Sequence, residues 1–118
     1  MLILTLREDG IIHAVPKARL EQSLADAQEN LAAVRSLTCG KRHPLLLDVR
    51  GAGPISREAR AHYVGDESAE LVHAQALVSA STFDRVAANF YLRLAKARFP
   101  IRMFDSEEAA VEWLRGFL

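Results

Sequence analysis

Residues 43–58, HPLLLDVRGAGPISRE, hold the reading from which the rest of the chain is understood. Leu45, Leu46, Leu47, Asp48 and Val49 do not alternate between apolar and polar. A strand without alternation is covered on both faces, which is typical of a central strand in a parallel sheet. Parallel neighbours cannot be joined by tight turns, so helical crossovers are expected before and after it. The segment RGAGPIS is a loop, because its two glycines and one proline suit neither helix nor strand. Ser56 follows as the N-cap of a helix over REARAHYV, with Glu58 in the first turn where negative charge meets the positive end of the helix dipole. His43-Pro44 closes the loop in front of the strand.

Toward the N-terminus, Leu2, Leu4 and Leu6 alternate with Ile3, Thr5 and Arg7, the period of a strand with one buried face. Asp9-Gly10 is a hairpin turn, and Ile11 to Val15 form the second strand. From Lys17 the period lengthens into a long amphipathic helix. Leu20, Leu24, Ala27, Leu31 and Val34 form its apolar stripe, with Glu21, Gln22, Asp26, Glu29 and Asn30 on the other side. Pro16 fits its first turn, and Gly40 is placed to end it in a left-handed conformation.

Toward the C-terminus, Gly65-Asp66 splits or kinks the helix that starts after Ser56. Val72 to Ser79, VHAQALVS, reads as another inner strand, with Ala74, Ala76 and Val78 on one side and Leu77 on the other. Ser81 and Asp84 resemble a capping box before a helix with Phe83, Val86 or Ala87, Phe90 and Leu94 on its apolar side. Pro100 opens a last strand, Ile101 to Phe104, and Asp105 and Glu108 cap a final helix carrying Ala109, Ala110, Trp113, Leu114 and Phe117. The order is ββαβαβαβα, an α/β fold with an N-terminal hairpin and a mostly parallel sheet. Right-handed crossovers between consecutive neighbours pile the helices mainly on one face. The other face is then thinly covered, or covered by a partner.

With 118 residues, 50% hydrophobic and 25% charged, the chain makes one domain over residues 1–118 and can build a core without disulfide or metal staples. The formal charge of +0 supplies no field toward nucleic acid or an anionic membrane. Neither a nucleic-acid partner nor membrane insertion is expected. Cys39 is the single cysteine, excludes an intrachain disulfide and reads as space-filling at a helix end. The opening MLILTL is too short for a secretion signal and no apolar run is long enough to span a bilayer, so a cytoplasmic location is expected.

The element order, the segments HPLLLDVRGAGPISREARAHYVGDESAELVHAQALVSAS and RVAANFYLRLAKARFPIRMFDSEEAAVEWL, and the terminal GFL resemble a small bacterial family of uncharacterised domains. Those domains in turn resemble the STAS fold of anti-sigma-factor antagonists and sulfate-transporter tails. The resemblance implies that Asp48 is the strand-end aspartate and Ser56 the helix-start serine that regulatory kinases phosphorylate in the antagonists. The Asp-Ser-Ser-Gly of the antagonists is replaced by PISRE. What the resemblance implies for function is a non-enzymatic regulatory or scaffolding module that works through a protein partner, with homodimerisation through the thin face or an edge strand.

Strand ends and helix starts of a parallel sheet share one rim, the usual ligand site of open α/β sheets. That rim is expected to gather Asp48 and Arg50, Ser56 and Arg57, then Ser79, Ser81 and Thr82, then Asp105 and Ser106. Unpaired N–H groups at helix starts attract anions, and Arg50 or Arg57 would add charge. The same Ser and Asp residues serve equally as helix caps. A phosphoryl group on Ser56 could pair with Arg57 and Arg60. The alternative function is therefore a binder of a small anionic or amphiphilic ligand, in a rim pocket lined by Asp48, Arg50, Ser56 and Ser81.

GAG is too short for a nucleotide-binding phosphate loop and lacks its lysine. His13, His43, His62 and His73 are scattered without metal-ligand spacing, so no metal and no cofactor is expected. His62 and Asp66 form an i, i+4 pair with no nucleophile beside it, which reads as a surface pair and gives no ground for an enzyme. Arg85, Arg93 and Lys96 form a basic stripe, explained by the solvated face of an amphipathic helix.

Overall fold

The computed structural model describes residues 2–16, 22–50, 55–79 and 98–118. Strands β1 (Leu2–Leu6) and β2 (Ile12–Pro16) form an antiparallel hairpin, with Leu4 opposite Ala14. The turn forms as its residue types require. Gly10 has a φ of +88° and donates to the Arg7 carbonyl at 3.0 Å, and the Asp9 carboxylate accepts from the Ile11 N–H at 3.2 Å.

Strands β3 (His43–Asp48), β4 (Val72–Val78) and β5 (Ile101–Phe104) follow, and the sheet order is β1-β2-β3-β4-β5. β2 through β5 are parallel, with β3 in the middle as its unbroken apolar run requires. Pro44 belongs to β3 rather than to the loop before it. The register of β3 on β4 shifts between His43 and Pro44, and this irregularity near the strand start accommodates a residue with no N–H to donate.

Helix α1 (Leu24–Thr38) starts later than Lys17. Its N-cap is Ser23, which shares a capping box with Asp26: the Ser23 side chain accepts from the Asp26 N–H, and the Asp26 carboxylate accepts from the Ser23 N–H at 2.9 Å. Pro16 ends β2 instead of opening this helix, which its position permits because β2 pairs with β3 only over Ile12–Ala14. Residue 20 of the expected apolar stripe lies outside the described residues. Leu24 is exposed, whereas Asn30, assigned to the polar side, is buried. Both Cys39, an exposed residue at φ 55°, and Gly40, at φ 77°, are left-handed where α1 stops.

Ser56 caps α2 (Arg57–Tyr63), accepting from the Ala59 N–H at 3.1 Å, and α3 (Asp66–Leu71) follows after Gly65, the split expected there. The last helix, α4 (Glu107–Arg115), is capped by Ser106, which accepts from the Ala109 N–H at 3.2 Å, rather than by Asp105 or Glu108. Its buried residues are Ala110, Val111 and Leu114, while Ala109 faces solvent. The expected helix after Ser81, with its basic stripe at Arg85, Arg93 and Lys96, lies outside the described residues.

Two hydrophobic clusters flank the sheet. On one face Leu31 and Val34 of α1 and Leu71 of α3 pack with Ile12, Val72 and Phe99. On the other, Ala110, Val111 and Leu114 of α4 pack with Ile11, Leu46, Ala74, Ala76 and Val78. Phe104, Trp113 and Phe117 flank this second cluster, with ring centroids 5.7 and 4.9 Å apart in succession. Among the described residues α4 alone covers that face. Over β1 the face is open, and Ile3 is 54% exposed.

Candidate functional site

The site is assembled where the starts of α1 and α2 meet. Gln22, just before the α1 cap, forms a parallel bridge with Ile55, and its carbonyl accepts from the Ser56 N–H at 2.9 Å. This backbone tie fixes α2 against α1 and brings the end of α2 over the sheet. Tyr63 at that end donates to the Gln22 Oε1 at 2.5 Å and accepts from the Asn30 Nδ2 at 2.8 Å. Asn30 Oδ1 accepts from the Leu2 N–H at 3.3 Å, so one network joins α1, α2 and the edge strand β1. Burial pushes the Tyr63 phenol above its ordinary value, although the Asn30 hydrogen bond opposes that shift. Tyr63 is thus a neutral hydroxyl at physiological pH.

Between these helices and the sheet lies a cavity of about 480 Å³. Its floor is Leu45 and Leu47 of β3, Leu77 of β4, and Ile101 and Met103 of β5; Leu31 and Val34 of α1 form a wall. Gln22, Asn30, Arg60, Tyr63, Ser68, Gln75 and Ser79 supply its polar groups. A cavity of this size, apolar with a few polar anchors, is within the range of small-molecule sites. Of the described lining residues only Arg60 and Tyr63 titrate, and no His, Cys, Asp or Glu is among them. Such a lining can hold and orient a molecule, but it offers no general base working near neutral pH.

The residues singled out from the sequence divide between two places. Asp48 and Arg50 form a bidentate pair, with Arg50 Nε donating to Oδ1 at 2.9 Å and its NH2 to Oδ2 at 2.8 Å. Hydrogen bonds from the Arg50 side chain hold the Asp48 carboxyl below the usual carboxylate range. Arg50 is thereby engaged by an internal carboxylate rather than left for a bound anion. Asp48 shares its sheet face with Leu46 and the α4 side, where His13 Nε2 lies 3.6 Å from Glu107. Ser56 is on the α2 side, engaged as a cap, and Arg57 next to it is exposed. Neither Asp48, Arg50 nor Ser56 lines this cavity, which lies under α1–α3. Ser79 does line it, while Ser81 and Thr82 lie outside the described residues. His62 pairs with Glu67 at 3.4 Å rather than with Asp66, whose partner is Arg98.

Gln22, Asn30, Tyr63 and Gln75 were not singled out as site residues from the sequence. One signal was there to find: a glutamine inside VHAQALVS, a strand expected to be covered on both faces. Among the described residues no group of His, Cys, Asp and Glu could hold a metal ion, and no helix is long and apolar enough to cross a membrane.

Among solved structures, an uncharacterised DUF3478-family protein with a SpoIIAA-like fold from Shewanella loihica PV-4 has a TM-score of 0.65 and 15% identity. The match covers 97% of this chain and 92% of that one. It supports the STAS-like fold expected from the sequence. A protein of unknown function from Arthrobacter sp. FB24 is 34% identical over 94% of this chain and 96% of that one, with a TM-score of 0.38. No curated protein matches. The chain belongs to the family described as domain of unknown function DUF7793, whose model matches residues 4–118.

Proposed function

We propose that the chain is a non-enzymatic binding module that holds a small amphiphilic molecule between α1–α3 and the sheet. The observation that carries this reading is the cavity of about 480 Å³, whose apolar floor and polar Gln22, Asn30 and Tyr63 edge suit a molecule with a hydrocarbon part and a polar end. The space is partly open to solvent, so a small molecule can enter it and cover its apolar floor.

The test is titration of the purified protein with N-phenyl-1-naphthylamine, a neutral dye that brightens in apolar surroundings, followed by displacement with 1-decanol. Leu77→Trp places a larger side chain in the floor of the cavity and is expected to weaken dye binding about tenfold or more. Equal dye binding by wild type and Leu77→Trp would discard the reading.

A second reading, a regulatory or scaffolding role through a protein partner or a homodimer, is favoured by Ile3, 54% exposed on edge strand β1. Sedimentation that finds only monomer at high concentration would count against the homodimer. A single unpaired cysteine accords with a cytoplasmic setting.

A further inference from the structure

Gln75 sits in β4 with Leu45 of β3 and Ile101 of β5 as its register partners. It is 7% exposed and lines the cavity, yet its side-chain amide makes no hydrogen bond to any described residue. Other buried polar side chains are differently placed. Asn30 uses both ends of its amide, Thr38 Oγ1 donates to the Val34 carbonyl at 2.9 Å, and Ser68 Oγ donates to the His62 carbonyl at 3.3 Å. Among the described residues the fully buried side-chain atoms without a hydrogen-bond partner are His62 Nε2 and His73 Nε2, so the Gln75 amide keeps access to the cavity, where a guest's polar group can pair with it. Leu or Val would fill that place in a two-sided strand but offer no such contact.

We infer that the Gln75 amide is the contact that reads the polar group of the bound molecule, which is therefore an amphiphile carrying an uncharged hydroxyl, carbonyl or amide. This rests on the ligand-binding reading and adds specificity to it. An amide both donates and accepts, so it matches a neutral group that does either. The residues next to it, Leu45, Leu77 and Ile101, are apolar, and the charged group of the described lining, Arg60, belongs to α2.

The experiment compares displacement of N-phenyl-1-naphthylamine by 1-decanol, 1-chlorodecane and decanoate at pH 8, in wild type and in Gln75→Met. For the wild type, 1-decanol is expected to displace the dye at concentrations roughly tenfold below 1-chlorodecane, one hydrogen bond's worth of discrimination, and below decanoate. In Gln75→Met the alcohol and the chloride are expected to draw level while the dye still binds. The variant's urea midpoint should stay close to that of the ligand-free wild type, because an amide with no partner among the described residues has been replaced by a thioether of similar size.

Equal displacement by alcohol and chloride in the wild type overturns the inference while leaving the cavity reading intact, and this comparison needs no variant. Stronger displacement by decanoate overturns the assignment of an uncharged group. A large loss of stability in Gln75→Met overturns it too, since Gln75 would then be holding the fold. Failure of the dye to enter the wild type removes both the inference and the reading beneath it.

Discussion

On the α4 side of the sheet Ala74 and Ala76 let the helix settle close to the strands, and Leu46, Val78, Ala110 and Leu114 are sealed completely. On the α1–α3 side the same strands present Leu45, Leu47, Leu77 and Met103, all only partly buried, and space remains beneath the helices. The difference lies in side-chain size and polarity on alternate residues of shared strands. Small residues permit close packing of α4, whereas larger ones, together with Gln22, Asn30 and Tyr63, border a cavity on the opposite face. One side supplies cohesion and the other has room for a guest.

The largest expected contrast comes from truncating one leucine on each face. Leu114→Ala should cost about 2–5 kcal/mol in urea unfolding, the range for a sealed leucine, and Leu77→Ala less than about 1.5 kcal/mol because its surroundings are already open. Equal losses would mean that the two faces are packed alike. Next in size, Tyr63→Phe removes a hydroxyl bonded to both Gln22 and Asn30 and should cost about 1–2 kcal/mol.

The same variant has a pH signature. Because the folded-state phenol titrates above its ordinary value, both states are neutral at lower pH, and the unfolded chain ionises first as pH rises past about 10. Stability attributable to Tyr63 is therefore present below that pH and is lost as pH rises through the folded value. Tyr63→Phe should flatten this alkaline decline in pH-dependent urea midpoints.

Helix caps should not distinguish the faces. Ser56→Ala on the cavity side and Ser106→Ala on the α4 side are each expected to cost about 1 kcal/mol, with Ser56→Asp largely restoring the cap, as thermal melts would show. The smallest effect is Asp48→Asn, within about 1 kcal/mol and shrinking with added salt, since the Arg50 pair is partly solvated. The folded Asp48 carboxyl titrates below its ordinary value. Its contribution is thus complete above the usual carboxylate range and lost as pH falls through the depressed folded value. Acid titration of stability should show a shallower decline in the variant.

The strands were legible because their signals are local: Leu2, Leu4 and Leu6 alternate, Asp9-Gly10 turns, and Leu45–Val49 does not alternate. Those signals and the crossover rule imply parallel pairing, while the neighbour order of the strands comes from the structure. The start of α1 was not legible, because Pro16 fits both a strand end and a helix start, and only its pairing with Leu2 selects the first. Asp48 and Ser56 were read as members of one rim; strand alternation turns Asp48 toward the α4 face, and the Gln22–Ile55 bridge holds Ser56 near α1. The cavity depends on how far α1–α3 stand from the sheet, a distance that no periodicity encodes. Asn30 looked polar and solvent-facing because its partners, Leu2 and Tyr63, are distant in sequence.

The order β1-β2-β3-β4-β5 has a kinetic consequence. Each strand docks beside the one that precedes it in the chain, so none has to be threaded between two that are already paired. The hairpin closes the shortest loop and is the cheapest nucleus, and the remaining strands can be laid down in the order in which a ribosome releases them.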